Sequence, residues 1–194
     1  MKQFIMITVP LVAVALSIAY ASTTPREFER FMSMSILGSN MMLDNYYLTP
    51  NDMVRVGDEL QWYIQIYNRM GYSEYLAVRV KVLNSTEEIP DDNNHIPSPK
   101  EHIFEIREFI MHNQTITIPL KWSIDTIERN EDSISIKKMK INDKMIELDS
   151  NSINGKFRIV LELWRYNIDK HEFEFAWMSN IDKRSVWNQI WFNV

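Results

Sequence analysis

Hydrophobic and polar residues alternate along most of this chain, after a long apolar beginning. Residues 4–21 (FIMITVPLVAVALSIAYA) are almost wholly apolar and uncharged, whereas later segments repeat with a period of two. A period of two places successive side chains on opposite faces of a strand. The pattern therefore predicts one apolar helix followed by a β-rich domain.

The clearest alternation occurs in residues 59–68 and 74–83. The predicted buried faces are Leu60, Trp62, Ile64 and Ile66 in the first strand, and Leu76, Val78, Val80 and Val82 in the second. Asn68-Arg69-Met70-Gly71 lies between them and has the length of a hairpin turn. We therefore expect these two strands to be adjacent.

Similar runs continue to the end of the sequence. They cover residues 32–37, 53–56, 103–111, 115–122, 133–141, 144–148, 156–166, 172–179 and 186–194. The predicted inner face of the run 156–166 consists of Phe157, Ile159, Leu161 and Leu163. Asn142-Asp143, between the runs 133–141 and 144–148, predicts the turn of a small hairpin. Pro119 predicts an edge position or a bulge, and residues 84–100 form one long polar connection. We predict an all-β fold, an antiparallel immunoglobulin-like β-sandwich of about seven to nine strands preceded by one N-terminal apolar helix.

The apolar beginning divides the chain into a leader, residues 1–25, and a β-sandwich domain, residues 26–194. About 20 apolar residues span a bilayer as a helix, so residues 4–21 predict a membrane anchor. Ala19-Tyr20-Ala21 also fits a signal-peptide cleavage site after Ala21, and a buried core helix is a third reading. Lys2 and the terminal amine place the N-terminal end of an anchor inside, and the positive charges of Arg26 and Arg30 at its other end nearly balance theirs. The positive-inside rule therefore favours an extracytoplasmic domain by a small margin.

Two sequons give the same orientation slight support. Asn84-Ser85-Thr86 and Asn113-Gln114-Thr115 lie where strands are predicted to end, so Asn84 and Asn113 are candidate glycosylation sites.

Composition and motifs exclude several functional classes. A net charge of −5 without clustered bases argues against nucleic-acid binding, and the absence of cysteine removes disulfides and thiolate chemistry. The isolated glycines build no phosphate-binding loop, and no serine elbow is present. We therefore expect no enzyme activity and no cofactor.

The remaining candidates for chemistry have simpler explanations. No two of the four histidines have the spacing that would let one strand or helix present both to a metal ion; they are His95, His102, His112 and His171. The acidic side chains that could suggest a glycosidase are expected on a solvated face; they are Glu162, Glu172 and Glu174. The possible calcium ligands in Asp91-Asp92-Asn93-Asn94 are expected on a solvated loop. Met32 and Met34, which would share a strand face, and the neighbours Met41 and Met42 are expected to fill the core rather than bind copper.

Aromatic residues on the outer strand faces are the strongest functional candidates. Tyr63, Tyr67 and Tyr75 alternate with polar residues that include Arg79 and Lys81. Trp164 and Tyr166, with Trp187 and Trp191, are candidates for a second patch. Flat aromatic rings with adaptable polar neighbours suit contacts with proteins or sugars, whereas simple cross-strand packing is the structural alternative.

Three segments carry a resemblance to a known family. They are VRVGDELQWYIQIYNRMGYSEYLAVRVKVLNST (residues 54–86), FRIVLELWRYN (157–167) and SVWNQIWFNV (185–194). Together they resemble the archaeal envelope domain of unknown function 1616. That resemblance implies a membrane-attached extracytoplasmic β-sandwich with no activity to carry over. Some members have a larger multi-helix membrane part, which this sequence lacks.

These observations predict a non-enzymatic domain that is anchored in the membrane through residues 4–21, or secreted if the leader is cleaved. Its expected role is to bind or organise other cell-envelope proteins, as an accessory subunit of a membrane complex. The alternative is a sugar- or calcium-binding surface module.

Overall fold

A computed structural model describes residues 2–23, 29–49, 51–179 and 182–194, with the side chains of the N-terminal helix described from Val12 onward. That helix, α1, spans Lys2–Thr23. Within these ranges, no helix combines the length and apolarity needed to cross a membrane. The predicted boundary at residues 25 and 26 and the side chains of residues 4–11 lie outside the described part of the chain.

The described chain contains eleven strands, more than the seven to nine predicted. They are β1 (Phe31–Leu37), β2 (Leu60–Arg69), β3 (Glu74–Asn84), β4 (Phe104–Ile110), β5 (Gln114–Arg129), β6 (Ile134–Ile141), β7 (Lys144–Ser152), β8 (Lys156–Asn167), β9 (Glu172–Glu174), β10 (Ala176–Met178) and β11 (Lys183–Asn193). The predicted run 172–179 is two short strands, because the chain bends at Phe175. The predicted strand 53–56 is reduced to a single bridge between Met53 and Asn193.

The strands form two antiparallel sheets that pack as a sandwich, as predicted. One sheet has the order β1-β2-β5-β6-β7, and the other has the order β10-β11-β8-β3-β4, with β9 beside β8. The orders β1-β2-β5 and β11-β8-β3-β4 match strands A-B-E and G-F-C-C′ of the immunoglobulin sandwich. The fold is therefore immunoglobulin-like, with β6 and β7 added after the E-equivalent strand.

The predicted pairing of β2 with β3 is wrong, because the two strands belong to different sheets. Asn68 ends the regular part of β2 as a buried residue, and its side-chain amide donates to the carbonyl oxygens of Tyr72 (2.9 Å) and Ile110 (3.1 Å). Its side-chain oxygen accepts from the backbone N–H of Met70, which is also buried. These contacts carry the chain across the core instead of folding it back as a hairpin.

The core lies between the sheets and contains the predicted inner faces of β2, β3 and β8. The eight residues predicted to be inward on β2 and β3 are all at most 3% exposed. Trp62, Trp122, Phe192 and Phe157 form a chain of ring contacts with centroid separations of 5.0, 5.2 and 5.8 Å. Each large aromatic ring removes much apolar surface from water, which is the main driving force for the sandwich.

Pro119 lies inside a central strand, opposite Tyr63 of β2. Its carbonyl oxygen accepts from the side-chain amide of Asn142, beyond the last paired residue of β6. In a β-strand, the backbone nitrogen and carbonyl oxygen of one residue point to the same neighbouring strand. The Pro119 nitrogen therefore points toward β6 at a position beyond the end of that strand, where no backbone acceptor needs an N–H. The edge-like position predicted for Pro119 therefore exists locally within β5.

The prediction that methionines fill the core holds for one of the two pairs. Met32 and Met34, on one face of β1, are buried as predicted. Met41 and Met42 lie in the loop after β1 and are 54% and 63% exposed, which contradicts the prediction.

One end of the sandwich receives the chain from the leader, and we call it the leader end. Phe31 at the start of β1 pairs with Arg69 there. Just before β1, Glu29 forms an ion pair with Arg184 (2.7 Å), and the Arg30 guanidinium lies 5.9 Å from the ring centre of Tyr72.

Candidate functional site

Three aromatic rings meet on the outer face of the six-stranded sheet. Tyr75 on β3 contacts Tyr166 on β8 and Phe173 on β9, with ring centroids 5.8 and 5.4 Å apart. Tyr166 and Phe173 are register partners, and their rings are 5.2 Å apart. β9 exists because Asn167 and the residues after it turn the chain back onto β8. The turn is held by the Asn167 side-chain oxygen, which accepts from two backbone N–H groups.

A groove of about 800 Å³ opens beside these rings at the leader end. Its walls include Tyr72, Tyr75, Phe109, Tyr166 and Met178. Tyr72 is 42% exposed and Phe109 is 63% exposed, and Phe109 lies directly across from Tyr75 on edge strand β4. The groove thus combines exposed aromatic surface with backbone that regular strands hold in place.

An ion pair forms part of the groove lining. The Arg165 Nε lies 2.8 and 2.9 Å from the two carboxylate oxygens of Glu74, which is almost fully buried. Burial raises the pKa of Glu74, and the Arg165 guanidinium opposes that shift. The Arg165 guanidinium also lies 5.7 Å from the ring centre of Tyr72, so Arg165 connects the buried carboxylate to the aromatic wall of the groove.

Arg79 and Trp164 form a second cluster on the same sheet face. The guanidinium of Arg79 lies 3.8 Å from the ring centre of Trp164, a close cation–π contact. Glu105 on β4 accepts from both Arg79 (2.8 Å) and Arg107 (2.6 Å). Burial alone would raise the pKa of Glu105, but the hydrogen bonds and positive charges of Arg79 and Arg107 together outweigh it and lower the pKa.

The sheet face next to this cluster is covered, although Lys81 was predicted to be exposed there. The loop of residues 85–103 lies over it, and the Lys81 ammonium is buried against Glu162 (2.9 Å) and the carbonyl oxygen of Ser98 (2.7 Å). Glu162 also accepts from the Ser98 backbone N–H (2.9 Å) and from Trp164 Nε1 (3.0 Å). Burial lowers the pKa of Lys81, and Glu162 opposes that shift.

Tyr63 and Tyr67 do not join Tyr75, so the predicted single patch is wrong. They lie on β2 in the five-stranded sheet, whose outer face points away from the other sheet. Tyr67 donates to the side-chain oxygen of Asn113 (2.6 Å) and packs 5.9 Å from Phe31. The error follows from the wrong hairpin, since only a paired β2 and β3 would present their tyrosines together.

The structure brings the other predicted site residues onto one sheet face. Tyr75, Arg79, Trp164 and Tyr166 all project from the outer side of β3 and β8. Trp187 and Trp191 share that face on β11, where Trp187 donates to Asp92 of the 85–103 loop and Trp191 lies 4.6 Å from the Arg158 guanidinium. These two tryptophans therefore pack within the domain.

The two sequons lie at opposite ends of the sandwich. Asn84 ends β3, and its side-chain amide donates to the carbonyl oxygen of Asn151 (2.7 Å). Asn113 occupies the exposed turn between β4 and β5, at the leader end. Its φ of 60° is a left-handed conformation that asparagine adopts more readily than most residues.

The remaining predicted chemistry is dispersed. Within the described ranges, no group of three His, Asp or Glu side chains could hold a metal ion. Glu162 is buried against Lys81, whereas Glu174 is paired with Lys170. The Asp91 carboxylate accepts from Asn93 and Asn94, so it shapes its own loop.

Sequence reasoning missed Tyr72, Glu74, Arg165 and Phe173. Tyr72 and Glu74 follow the misassigned turn, and the contacts of Phe173 with Tyr75 and Tyr166 depend on β9 folding back onto β8. The pairing of Glu74 with Arg165 depends on the register between β3 and β8, because the two residues are 91 positions apart in the chain.

Comparisons with known proteins add little to this geometry. No protein-family model matches the chain, and no curated protein matches it. Among solved structures, it is similar to a beta-glucosidase from Kluyveromyces marxianus, at 11% identity and a TM-score of 0.36. The match covers 85% of this chain and 14% of the beta-glucosidase chain. The resemblance to the archaeal envelope family therefore stays a prediction.

Proposed function

We propose that this protein is a non-enzymatic β-sandwich, held at the outer face of a membrane by its leader, that binds another envelope protein through the groove at the leader end. The observation that carries the proposal is the exposed aromatic lining of that groove, formed by Tyr72, Tyr75, Phe109 and Tyr166. Protein interfaces are enriched in aromatic residues and arginine, and this groove offers both.

The position of the groove supports a partner that lies close to the membrane. Glu29 and Arg30 contact Arg184 and Tyr72, so the chain leaves the sandwich beside the groove. Five residues lie between the end of α1 at Thr23 and Glu29, and covalent geometry limits that span to about 20 Å. A helix anchored through residues 4–21 would keep the groove near the bilayer surface, within reach of membrane-embedded partners.

The binding proposal is tested by removing exposed rings from the groove. We expect the double variant Tyr75→Ser/Phe109→Ser to lose crosslinks to its partner in native membranes. The matched control Tyr63→Ser/Tyr67→Ser removes two rings from the other sheet and should retain those crosslinks. Equal loss in both variants would contradict a role for the groove.

Sugar binding is the second candidate, because the groove also places the polar side chains of Asn167, Asp169 and Lys183 beside aromatic rings. A ligand that binds only the native state raises the melting temperature by mass action. Titration with envelope saccharides should therefore raise the melting temperature of the native protein, and the Tyr75→Ser/Phe109→Ser variant should lose that response. An unchanged melting temperature would leave protein binding as the function of the groove.

A further inference from the structure

The loop after β1 exposes three consecutive apolar side chains. Met41, Met42 and Leu43 are 54%, 63% and 74% exposed, and Leu48 in the same loop is 65% exposed. A run of three exposed apolar residues is unfavourable in water and is normally found only where it has a function. We call Met41-Met42-Leu43 the tip.

The tip is held by an ordered backbone. The Gly38 N–H donates to the carbonyl oxygen of Met42 (2.8 Å), and the Met41 N–H donates to the carbonyl oxygen of Gly38 (3.0 Å). The Asn40 side chain bridges both sides of the turn, donating to Asp44 (2.6 Å) and accepting from the Met42 N–H (3.1 Å). The chain closes so tightly here that a Cβ at position 38 would lie 1.7 Å from the Asp44 carbonyl oxygen.

The backbone at the tip also carries conformational strain. Met41 has a φ of 61°, a left-handed conformation that costs an unbranched non-glycine residue free energy. Such strain is found mainly where surrounding contacts enforce it at functional sites. Here the contacts that enforce the strained backbone place apolar side chains in solvent, so the strain is not explained by burial of those side chains.

Two tyrosines fix the loop to the sandwich. The Tyr46 hydroxyl donates to the carbonyl oxygen of Ile36 (2.9 Å), and its ring packs 6.2 Å from Trp62. The Tyr47 hydroxyl donates to the carbonyl oxygen of Trp191. The loop is thus attached to both sheets, and its tip is pre-organised for contact.

We propose that the tip is a second interaction surface, which inserts into an apolar pocket with a basic rim on another protein. A preorganised backbone loses little conformational entropy on binding, and methionine side chains adapt to irregular pockets. The basic rim follows from charge, because the described residues 38–49 carry one acid, Asp44, and no lysine or arginine. The negative charge of Asp44 also disfavours binding of the tip to an anionic bilayer surface.

The tip and the groove serve different contacts. β1 carries the chain about 20 Å away from the leader end before the loop begins. A domain anchored by its leader would therefore bind one partner near the bilayer and present the tip to another farther out.

The chain contains no cysteine, so one introduced thiol provides a specific probe. Leu48→Cys places an environment-sensitive fluorophore in the loop without altering the tip, and Ile153→Cys, at an 83% exposed site in another loop, is the control. In native membranes, we expect the emission of the Leu48 probe to shift to shorter wavelength and that of the Ile153 probe to remain unchanged. In protein-free vesicles of the extracted lipids, neither probe should shift.

Two variants test whether the tip binds an apolar pocket with a basic rim. The triple variant Met41→Ser/Met42→Ser/Leu43→Ser should abolish the shift while leaving the unfolding midpoint unchanged, because these side chains are exposed. Asp44→Asn keeps the acceptor for Asn40, removes the charge, and should weaken the shift. A shift in protein-free vesicles, or one that survives the serine substitutions, would overturn the proposal. An undiminished shift in Asp44→Asn would contradict the proposal that the pocket of the partner has a basic rim.

Discussion

Lys81 and Glu162 form an ion pair that the 85–103 loop seals from solvent. Two charges removed from water are tolerated only together, because each satisfies the other and both hydrogen-bond to Ser98. The pair therefore makes the stability of the sheet depend on the position of the loop.

Replacing one member of this pair should be strongly destabilising. We expect Lys81→Met to lower the free energy of unfolding by about 3–5 kcal/mol, because Glu162 would remain buried without a countercharge. Adding Glu162→Gln removes that charge and keeps an acceptor for Ser98, so part of the stability should return. Urea unfolding measures both effects. Lys138→Met, which breaks a surface pair with Glu147, is the control and should cost less than about 1 kcal/mol.

The pH dependence of stability should reflect Glu105. Its pKa is lower in the folded protein than in the unfolded chain, because burial, which raises the pKa, is outweighed by the hydrogen bonds and positive charges of Arg79 and Arg107. Its stabilising contribution is present above the unfolded-state pKa and is lost as the pH falls through the folded-state pKa. Between about pH 5 and 3, the wild type should therefore lose more stability than Glu105→Gln. Parallel curves from urea unfolding at each pH would contradict this assignment.

At the scale of elements, the connection between β2 and β3 decides the arrangement of the sandwich. Asn68 uses both ends of its side-chain amide to satisfy three backbone groups, two in this connection and one at the end of β4. A leucine or alanine there could not carry the chain across the core without leaving those groups unpaired.

Asn68→Ala should consequently destabilise the protein by about 3 kcal/mol, because unsatisfied buried polar groups each cost about 1–3 kcal/mol. Asn151→Ala on the exposed face of β7 changes the same residue type without such contacts and should be nearly neutral. Urea unfolding of both variants makes the comparison. Similar stability in the two would show that water replaces the Asn68 contacts.

The elements also show where sequence patterns were sufficient. The alternation in β2, β3 and β8 predicted the buried faces correctly, because packing between two sheets demands a strict inside and outside. Pairing was harder, since the residues between β2 and β3 suit both a hairpin and a crossing. Tyr75 could be assigned to an outer face from its parity, but its contact with Tyr166 and Phe173 depends on which strands are neighbours.

At the scale of the whole molecule, the leader and the sandwich should be separable. Among the side chains that the structure describes, the core lies between the two sheets and includes none of residues 12–23 of α1. We expect a chain that lacks residues 1–25 to fold with an unchanged melting temperature and to stay in the supernatant, whereas the full chain floats with lipid vesicles. A truncated chain that fails to fold would contradict the domain boundary, and a full chain that does not float would contradict the anchor.

The alternation of apolar and polar residues by itself determined the β-sandwich class, the inward faces of its main strands and the turn at Asn142-Asp143, because these follow from local geometry and burial. It could not determine which strands are neighbours, since pairing depends on contacts between distant segments. Only the tertiary structure separated Tyr63 and Tyr67 from Tyr75, buried Lys81 beneath the 85–103 loop, and left Met41 and Met42 in solvent. Each of these outcomes depends on what another part of the chain covers.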